Sequence, residues 1–240
     1  MKKRNILAVF GGILSQKCRD KLTELGFELL PLQPLSTLAP PMNAHADLSL
    51  FILDKKVFGV KELFESDPIL TDKLLERGYE ICVTDESVLS PYPKDIPLNC
   101  LNVGKLLFSK KAYTAKKLTD EAKKQGYELI NVNQGYARCT ACPVSDKGII
   151  TADCSIAKAA AAAGIDVLRI SPAHVRLEGY EYGFIGGASG VFENTVFFAG
   201  DILSHPDGLQ IVDFCKKHQK NVISLSDEPL TDVGSIFFLK

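Results

Sequence analysis

The chain reads as an α/β ring in which five strand–strand–helix–strand units surround a pseudo-fivefold axis, closed by pairing its N- and C-terminal strands. Three observations predict this. A polar amphipathic stretch recurs five times, each ending in Gly or a stand-in and leading into a short β-prone run. Two β-prone runs separated by turn residues precede the second to fifth of these stretches. The first unit lacks one such run, and a spare one stands at the far end of the chain.

The first unit opens with "NILAVFGG". Its basic head and short apolar run imitate a secretion signal, but the run passes into Gly-Gly and a charged amphipathic segment, so it reads as the first strand. The recurring stretches are "KCRDKLTELGFELLPL", "ILTDKLLERGYEICVT", "AKKLTDEAKKQGYELINV", "SIAKAAAAAGIDVLRI" and "IVDFCKKHQKNVISL". Leu22/Leu25, Leu74/Leu75 and Leu118/Ala122 supply an apolar stripe at helical spacing. Gly26, Gly78, Gly126 and Gly164 mark helix ends, where left-handed backbone is wanted; Gln219 takes that place in the fifth copy. The paired runs are "LSLFILDKKVFGV", "GKLLFSKKAYT", "CPVSDKGIIT" and "GVFENTVFFAG", with turns expected at Asp54-Lys55, Ser109-Lys110, Ser145–Gly148 and Glu193-Asn194. The spare strand is "DVGSIFFLK", residues 232–240. A doubly wound sheet also alternates strands and helices. It does not explain the hairpin-like pairs, and "VFGGILSQK" carries neither dinucleotide nor Walker spacing.

At 240 residues and 46% hydrophobic the chain has enough apolar content for one domain spanning residues 1–240. A formal net charge of −1 gives no reason to expect a nucleic-acid partner. The longest apolar stretch, the Ala-rich run near 159–163, is far too short to span a bilayer, so no membrane partner is expected. Seven irregularly spaced cysteines do not suggest a secreted disulfide framework, and a reducing cytoplasm fits better. No motif calls for a cofactor, and the oligomeric state is open.

Five such units resemble the pentein fold, also called the α/β propeller. It is shared by guanidino-group-modifying enzymes (arginine and agmatine deiminases, dimethylarginine hydrolase, amidinotransferases) and by the non-enzymatic translation initiation factor six. In such a ring the first strand of each unit lines the axis. The stretches "NAHADLSLF", "NCLNVGKLL", "ARCTACPV", "GGASGVFEN" and "TDVGSIFF" would then surround a central cavity. They hold Asn43, Asn102, Arg138 and Ser189, expected with Asp47 to bind a small-molecule ligand there. Two stretches resemble the deiminases more closely. His45-Ala46-Asp47 matches their His-x-Asp, implying His45 as acid/base and Asp47 as a grip on the guanidinium. "GYARCTACP" places Cys139 in the nucleophile's slot. The resemblance implies Asp232 as the acid paired with His45, an order kept only if the chain is circularly permuted relative to the deiminases.

The chemistry needs these types. A guanidinium carbon is a poor electrophile, so attack needs a thiolate, whose formation a cationic substrate or the neighbouring Arg138 favours. His45 would protonate the departing amine and activate water. Two carboxylates would hold the planar cation through charge-assisted hydrogen bonds. The spacing Cys139–Cys142 also fits half a metal site, but two further ligands would have to come from Cys154 and His45 and no second C-x-x-C exists; no metal is expected. A redox pair lacks a thioredoxin-like context. Alternation along an extended strand puts His45 and Asp47 on one side and parts Cys139 from Cys142, leaving Cys142 as packing. His174 and His205 read as loop residues and His218 as the end of a helix. The function expected is thus a cysteine-dependent hydrolase or transferase acting on a small guanidino or amidino compound. The alternative is a non-catalytic pentein that binds or scaffolds, favoured by the absence of the lid insertions that shield deiminase sites.

Overall fold

In the computed structural model, which describes residues 5–240, five helices stop where the chain turns left-handed. Gly26, Gly78, Gly126 and Gly164 have φ of 88°, 70°, 78° and 79°, and Gln219 takes 58° in the fifth copy. Several start on a side chain that accepts from the first turn: Ser15 from Cys18 N, Asp67 from Leu70 N, Asp153 from Ile156 N.

In chain order the elements are β1 (Leu7–Gly11), α1 (Gln16–Glu24) and β2 (Glu28–Leu32), then α2 (Ala46–Ser49), β3 (Leu50–Leu53), β4 (Lys56–Gly59), α3 (Lys61–Ser66), α4 (Pro68–Glu76) and β5 (Glu80–Val83). The third unit is β6 (Leu101–Val103), β7 (Leu106–Ser109), α5 (Lys116–Lys124) and β8 (Glu128–Asn131). The fourth is α6 (Ala137–Thr140), β9 (Ala141–Ser145), β10 (Gly148–Thr151), α7 (Cys154–Ala162) and β11 (Asp166–Arg169). The fifth is β12 (Ser189–Phe192), β13 (Thr195–Phe198), α8 (Gly208–Lys217) and β14 (Asn221–Ser224), with β15 (Ile236–Leu239) closing the chain.

Among the described residues the strands form five three-stranded sheets. In each, a first strand runs antiparallel to the middle one, and the middle one parallel to the last. In the first unit the first strand is β15, paired with β1 in the register Leu7↔Leu239 to Phe10↔Ile236. The ring is therefore closed by the two ends of the chain, as the sequence predicts; residues 1–4 of the expected N-terminal strand lie outside the described residues. First strands of neighbouring units pack together, β15 beside β12, β12 beside β9 and β9 beside β6.

Two local expectations are corrected. The hairpin of the third unit turns at Gly104-Lys105, not at Ser109-Lys110, because Ser109 is the buried last residue of β7. The stretch 43–51 is not a strand throughout: a helical turn, α2, precedes β3, and α6 precedes β9 in the same way.

The core lies in wedges between neighbouring units. One wedge joins Ala8, Phe10, Leu22 and Phe27 of the first unit to Phe192, Phe197 and Leu225 of the fifth; another joins Leu101 and Phe108 to Ile149 and Ile156. Phe27 packs edge-on to Phe192 and Phe197, with centroids 5.7 and 5.6 Å away. Phe27→Ala is expected to cost about 3–5 kcal/mol, read as a lower urea midpoint with an unchanged slope. On the hairpin face His218, at the end of α8, ties Ser145 Oγ (2.9 Å) to Asp166 Oδ2 (2.9 Å), so it binds the fourth and fifth units together. Among the described residues no helix is long and apolar enough to cross a membrane.

Candidate active site

The helical turns α2 and α6 each deliver a chemically active side chain to the ring's other face. His45 caps α2, Asp47 lies in its first turn, and Cys139 lies in α6. Their possible ligand atoms lie within 4.8 Å of one another. A turn of helix is short enough to be overridden by tertiary contacts, and here two backbone bonds fix it. Asp47 N donates to Gly234 O (3.0 Å) and Gly187 N donates to Cys139 O (2.8 Å).

Cys139 Sγ donates to Asp47 Oδ2 (3.0 Å) and accepts from Asn99 Nδ2 (3.2 Å). Asn99 also holds the backbones around it: its Nδ2 reaches Asp47 O (3.1 Å) and its Oδ1 accepts from Arg138 N (2.8 Å). Ser235 Oγ donates to Asp47 Oδ2 at 2.6 Å. Asp232 accepts from Phe184 N (2.9 Å) and Gly234 N (3.0 Å), and its Oδ1 is 3.9 Å from His45 Nδ1, beyond hydrogen-bond reach. Backbone approaches so closely here that side chains have no room. A Cβ on Gly187 would sit 1.9 Å from Asp232 Oδ1, and one on Gly234, at φ +70°, would sit 2.4 Å from His45 Cα.

The four active side chains are 0–1% exposed, and their charges act on one another strongly. Burial first, then the Asp47 and Asp232 carboxylates, push the Cys139 thiol well above its ordinary value. Burial also raises Asp232, against the pull of His45. The expectation that Arg138 acidifies the thiol is corrected: its guanidinium is spent on the carbonyls of Gly186 (2.9 Å), Ser189 (3.2 Å) and Ala141 (3.4 Å), and the thiol is raised, not lowered. Three buried polar atoms at this cluster have no hydrogen-bond partner: both ring nitrogens of His45 and Asp47 Oδ1. Buried polar groups are nearly always satisfied, so these three atoms stand out as unpaired beside the thiol.

The other expected ligand residues are placed elsewhere. Asn102 lines cavities on the hairpin face. Ser189 Oγ donates to Gly186 O at 2.8 Å. Asn43 is half-buried, with its carbonyl accepting from Leu35 N. All seven cysteines are free, and Cys142 lies in the core between the fourth and fifth units. His45, Asp47 and Cys139 offer a metal three donors of mixed type, one short of a closed structural zinc site. His205, expected in a loop, is 3% exposed and meets His174 edge-on, with ring centroids 5.3 Å apart. Both border a cavity of about 500 Å³ whose wall includes Gly183 and Phe184, the segment anchored to Asp232.

Sequence reasoning missed Asn99, Ser235 and Gly187. A signal was present. Counting back from the start of each first strand, Asn99, Cys139, Gly187 and Gly234 stand two residues before β6, β9, β12 and β15, and Asp47 stands three before β3. One structural position per unit thus supplies the ring of contacts around the thiol.

Residues 11–237 match a family model described as "Family of unknown function (DUF6873)". No curated protein matches. Among solved structures, a mutant of DDAH from Pseudomonas aeruginosa complexed with citrulline is similar over 92% of this chain and 91% of its own, at 9% identity and a TM-score of 0.59. SxtG, an amidinotransferase from Microseira wollei in the saxitoxin biosynthetic pathway, is similar over 92% and 80%, at 10% identity and 0.57. Agmatine deiminase from C. jejuni is similar over 92% and 87%, at 10% and 0.51. At such identities the likeness shows the fold, which is the pentein fold.

Proposed function

The chain belongs to the DUF6873 family, and we propose that it is a cysteine-dependent hydrolase or transferase of a small guanidino or amidino compound. Cys139 is the nucleophile, His45 the acid/base, and Asp47 and Asp232 the grips on the cation. The observation that carries this reading is the set of unsatisfied atoms around the thiol, His45 Nδ1 and Nε2 and Asp47 Oδ1, all buried beside two carboxylates. A planar cation rich in N–H donors satisfies Asp47 Oδ1 and offsets the stacked negative charge. The similar structures, described as an amidinotransferase, a deiminase and a DDAH bound to citrulline, make that substrate class the first to test.

The cation's arrival reverses the electrostatics that keep the thiol protonated. The thiol proton then passes to His45, and Sγ attacks the amidino carbon. The C–S bond forms, the C–N bond to the leaving amine breaks, and His45 returns the proton to that amine. Water, or an acceptor amine in a transferase, next attacks the same carbon, loses its proton to His45, and displaces Sγ, restoring the thiol.

One observation favours the non-catalytic alternative: Cys139 is 1% exposed and its thiol is pushed up, not down. Treatment with 2-chloroacetamidine, followed by intact-mass and peptide analysis, separates the two. The expected result is a single adduct on Cys139, absent from Cys139→Ala and slowed at least tenfold in His45→Ala. Modification confined to the exposed Cys154 would leave the ring as a binding protein.

A further inference from the structure

We propose that the axis of the ring holds a second, anionic ligand on the hairpin face: a short organic monocarboxylate, with its carboxylate on Arg138. A cavity of about 200 Å³ lies among the first strands, bordered by Phe51, Phe237, Phe238, Ile236, Asn102 and Arg138. Arg138 is 7% exposed. Its hydrogen bonds go to three carbonyl oxygens and to no carboxylate, and among the described residues it makes no ion pair. The nearest ring, Phe237, lies 5.9 Å from the guanidinium. A buried cation facing a cavity without a counter-charge is costly unless something supplies one.

The rest of the lining says what fits. Phenylalanine rings and Ile236 demand an apolar body, and the volume limits that body to a few carbons. Asn102 Oδ1 has no hydrogen-bond partner; its amide is free to turn a donor toward the same anion. There is also a way in. Asn102, Pro143 and Val191 border both this cavity and a wider one of about 720 Å³ that carries Lys147, Lys217 and Lys220. Of these, Lys217 is paired with Asp166, and Lys147 and Lys220 stand beside Asp146 and Glu193, so the mouth is mixed in charge and the anion's charge is met by Arg138. Cys139 borders neither cavity, so consecutive residues of α6 serve two places: Arg138 the axis, Cys139 the buried cluster.

The test uses the full chain carrying Cys139→Ala, so that its outcome does not depend on the enzyme reading. Melting temperature and calorimetry are read with butyrate, with butyramide of the same shape, and with chloride at matched ionic strength. Butyrate is expected to raise the melting temperature dose-dependently and to bind at least tenfold more tightly than butyramide. Chloride is expected to do neither. Since Arg138→Met strips three carbonyls of their donor and risks misfolding, two other variants are used. Val191→Phe, at the shared neck, is expected to weaken butyrate at least tenfold. Asn102→Asp supplies an internal counter-charge, so it is expected to abolish the butyrate response without lowering the melting temperature of the free protein. Equal binding of butyrate and butyramide, an equal effect of chloride, or an Asn102→Asp protein that still responds to butyrate would each overturn the proposal.

Discussion

Gly187→Ala is expected to abolish labelling of Cys139 by 2-chloroacetamidine and to destabilise the protein by about 3–5 kcal/mol. The added Cβ would lie 1.9 Å from Asp232 Oδ1 and 2.4 Å from its Cγ. The carboxylate must leave the two backbone N–H groups that hold it, of Phe184 and Gly234, and it has nowhere exposed to go. Gly187 also carries three backbone bonds of the cluster: its N–H donates to Cys139 O, and its carbonyl accepts from Val233 N and Ser235 N. Moving this backbone therefore moves Cys139, Asp232 and Ser235 together. Gly12→Ala is the control, because its Cβ meets nothing closer than 3.8 Å. Urea denaturation reads the stability, and a loss below about 1 kcal/mol would mean that the crowding relaxes cheaply.

The second large effect is a crossing of rates with charge. With its thiol pushed above the ordinary range by burial and two carboxylates, Cys139 is held in its protonated, less nucleophilic form near neutral pH. Its rate with neutral iodoacetamide is expected to climb with unit slope through pH 9 without a plateau. A cationic amidine supplies the missing positive charge, so its profile is expected to break at lower pH. Asp47→Asn removes a repelling charge from the thiol and a grip from the amidine. It is expected to speed the neutral reagent about tenfold and slow the cationic one about tenfold, on the scale of one pKa unit each way. The ratio of the two rates cancels accessibility. A ratio unchanged by Asp47→Asn would show that the carboxylate does not act on the thiol. The same shift has a stability sign. A raised thiol favours folding with the proton on, so its contribution is whole below the unfolded-state value and drains away as pH rises above it. Cys139→Ala is expected to flatten that alkaline loss.

The ring was legible because its evidence is periodic. A left-handed residue must end each helix, and the chain marks it with Gly four times and with Gln219 once. The closure was legible because "NILAVFGG" lacks a partner that "DVGSIFFLK" supplies, and β1 and β15 pair as antiparallel neighbours. The third hairpin was misplaced because Ser109-Lys110 is polar, while the residue with left-handed backbone is Gly104. Polarity marks turns by correlation; left-handed backbone marks them by necessity. The residues His45, Asp47, Cys139 and Asp232 were legible as types in order, and they meet. Arg138 was legible only as a charge. Whether it faces the thiol or the axis depends on one turn of helix, too short for periodicity to register. Asn99 was passed over for Asn102, since both are polar and only the start of β6 at Leu101, which leaves Asn99 before the strand and Asn102 within it, separates their fates.

Because β15 completes the first unit, synthesis on the ribosome proceeds with the ring gaping. Cys139 emerges long before Asp232, Gly234 and Ser235, whose backbone and side chains hold the turn carrying Asp47. A chain ending near residue 230 thus leaves one edge of β1 unpaired, a template for a stray strand, and lacks the Gly234 and Ser235 contacts to Asp47. The residues that close the ring also hold the turn carrying Asp47 and bring the Asp232 carboxylate that helps to raise the thiol's pKa.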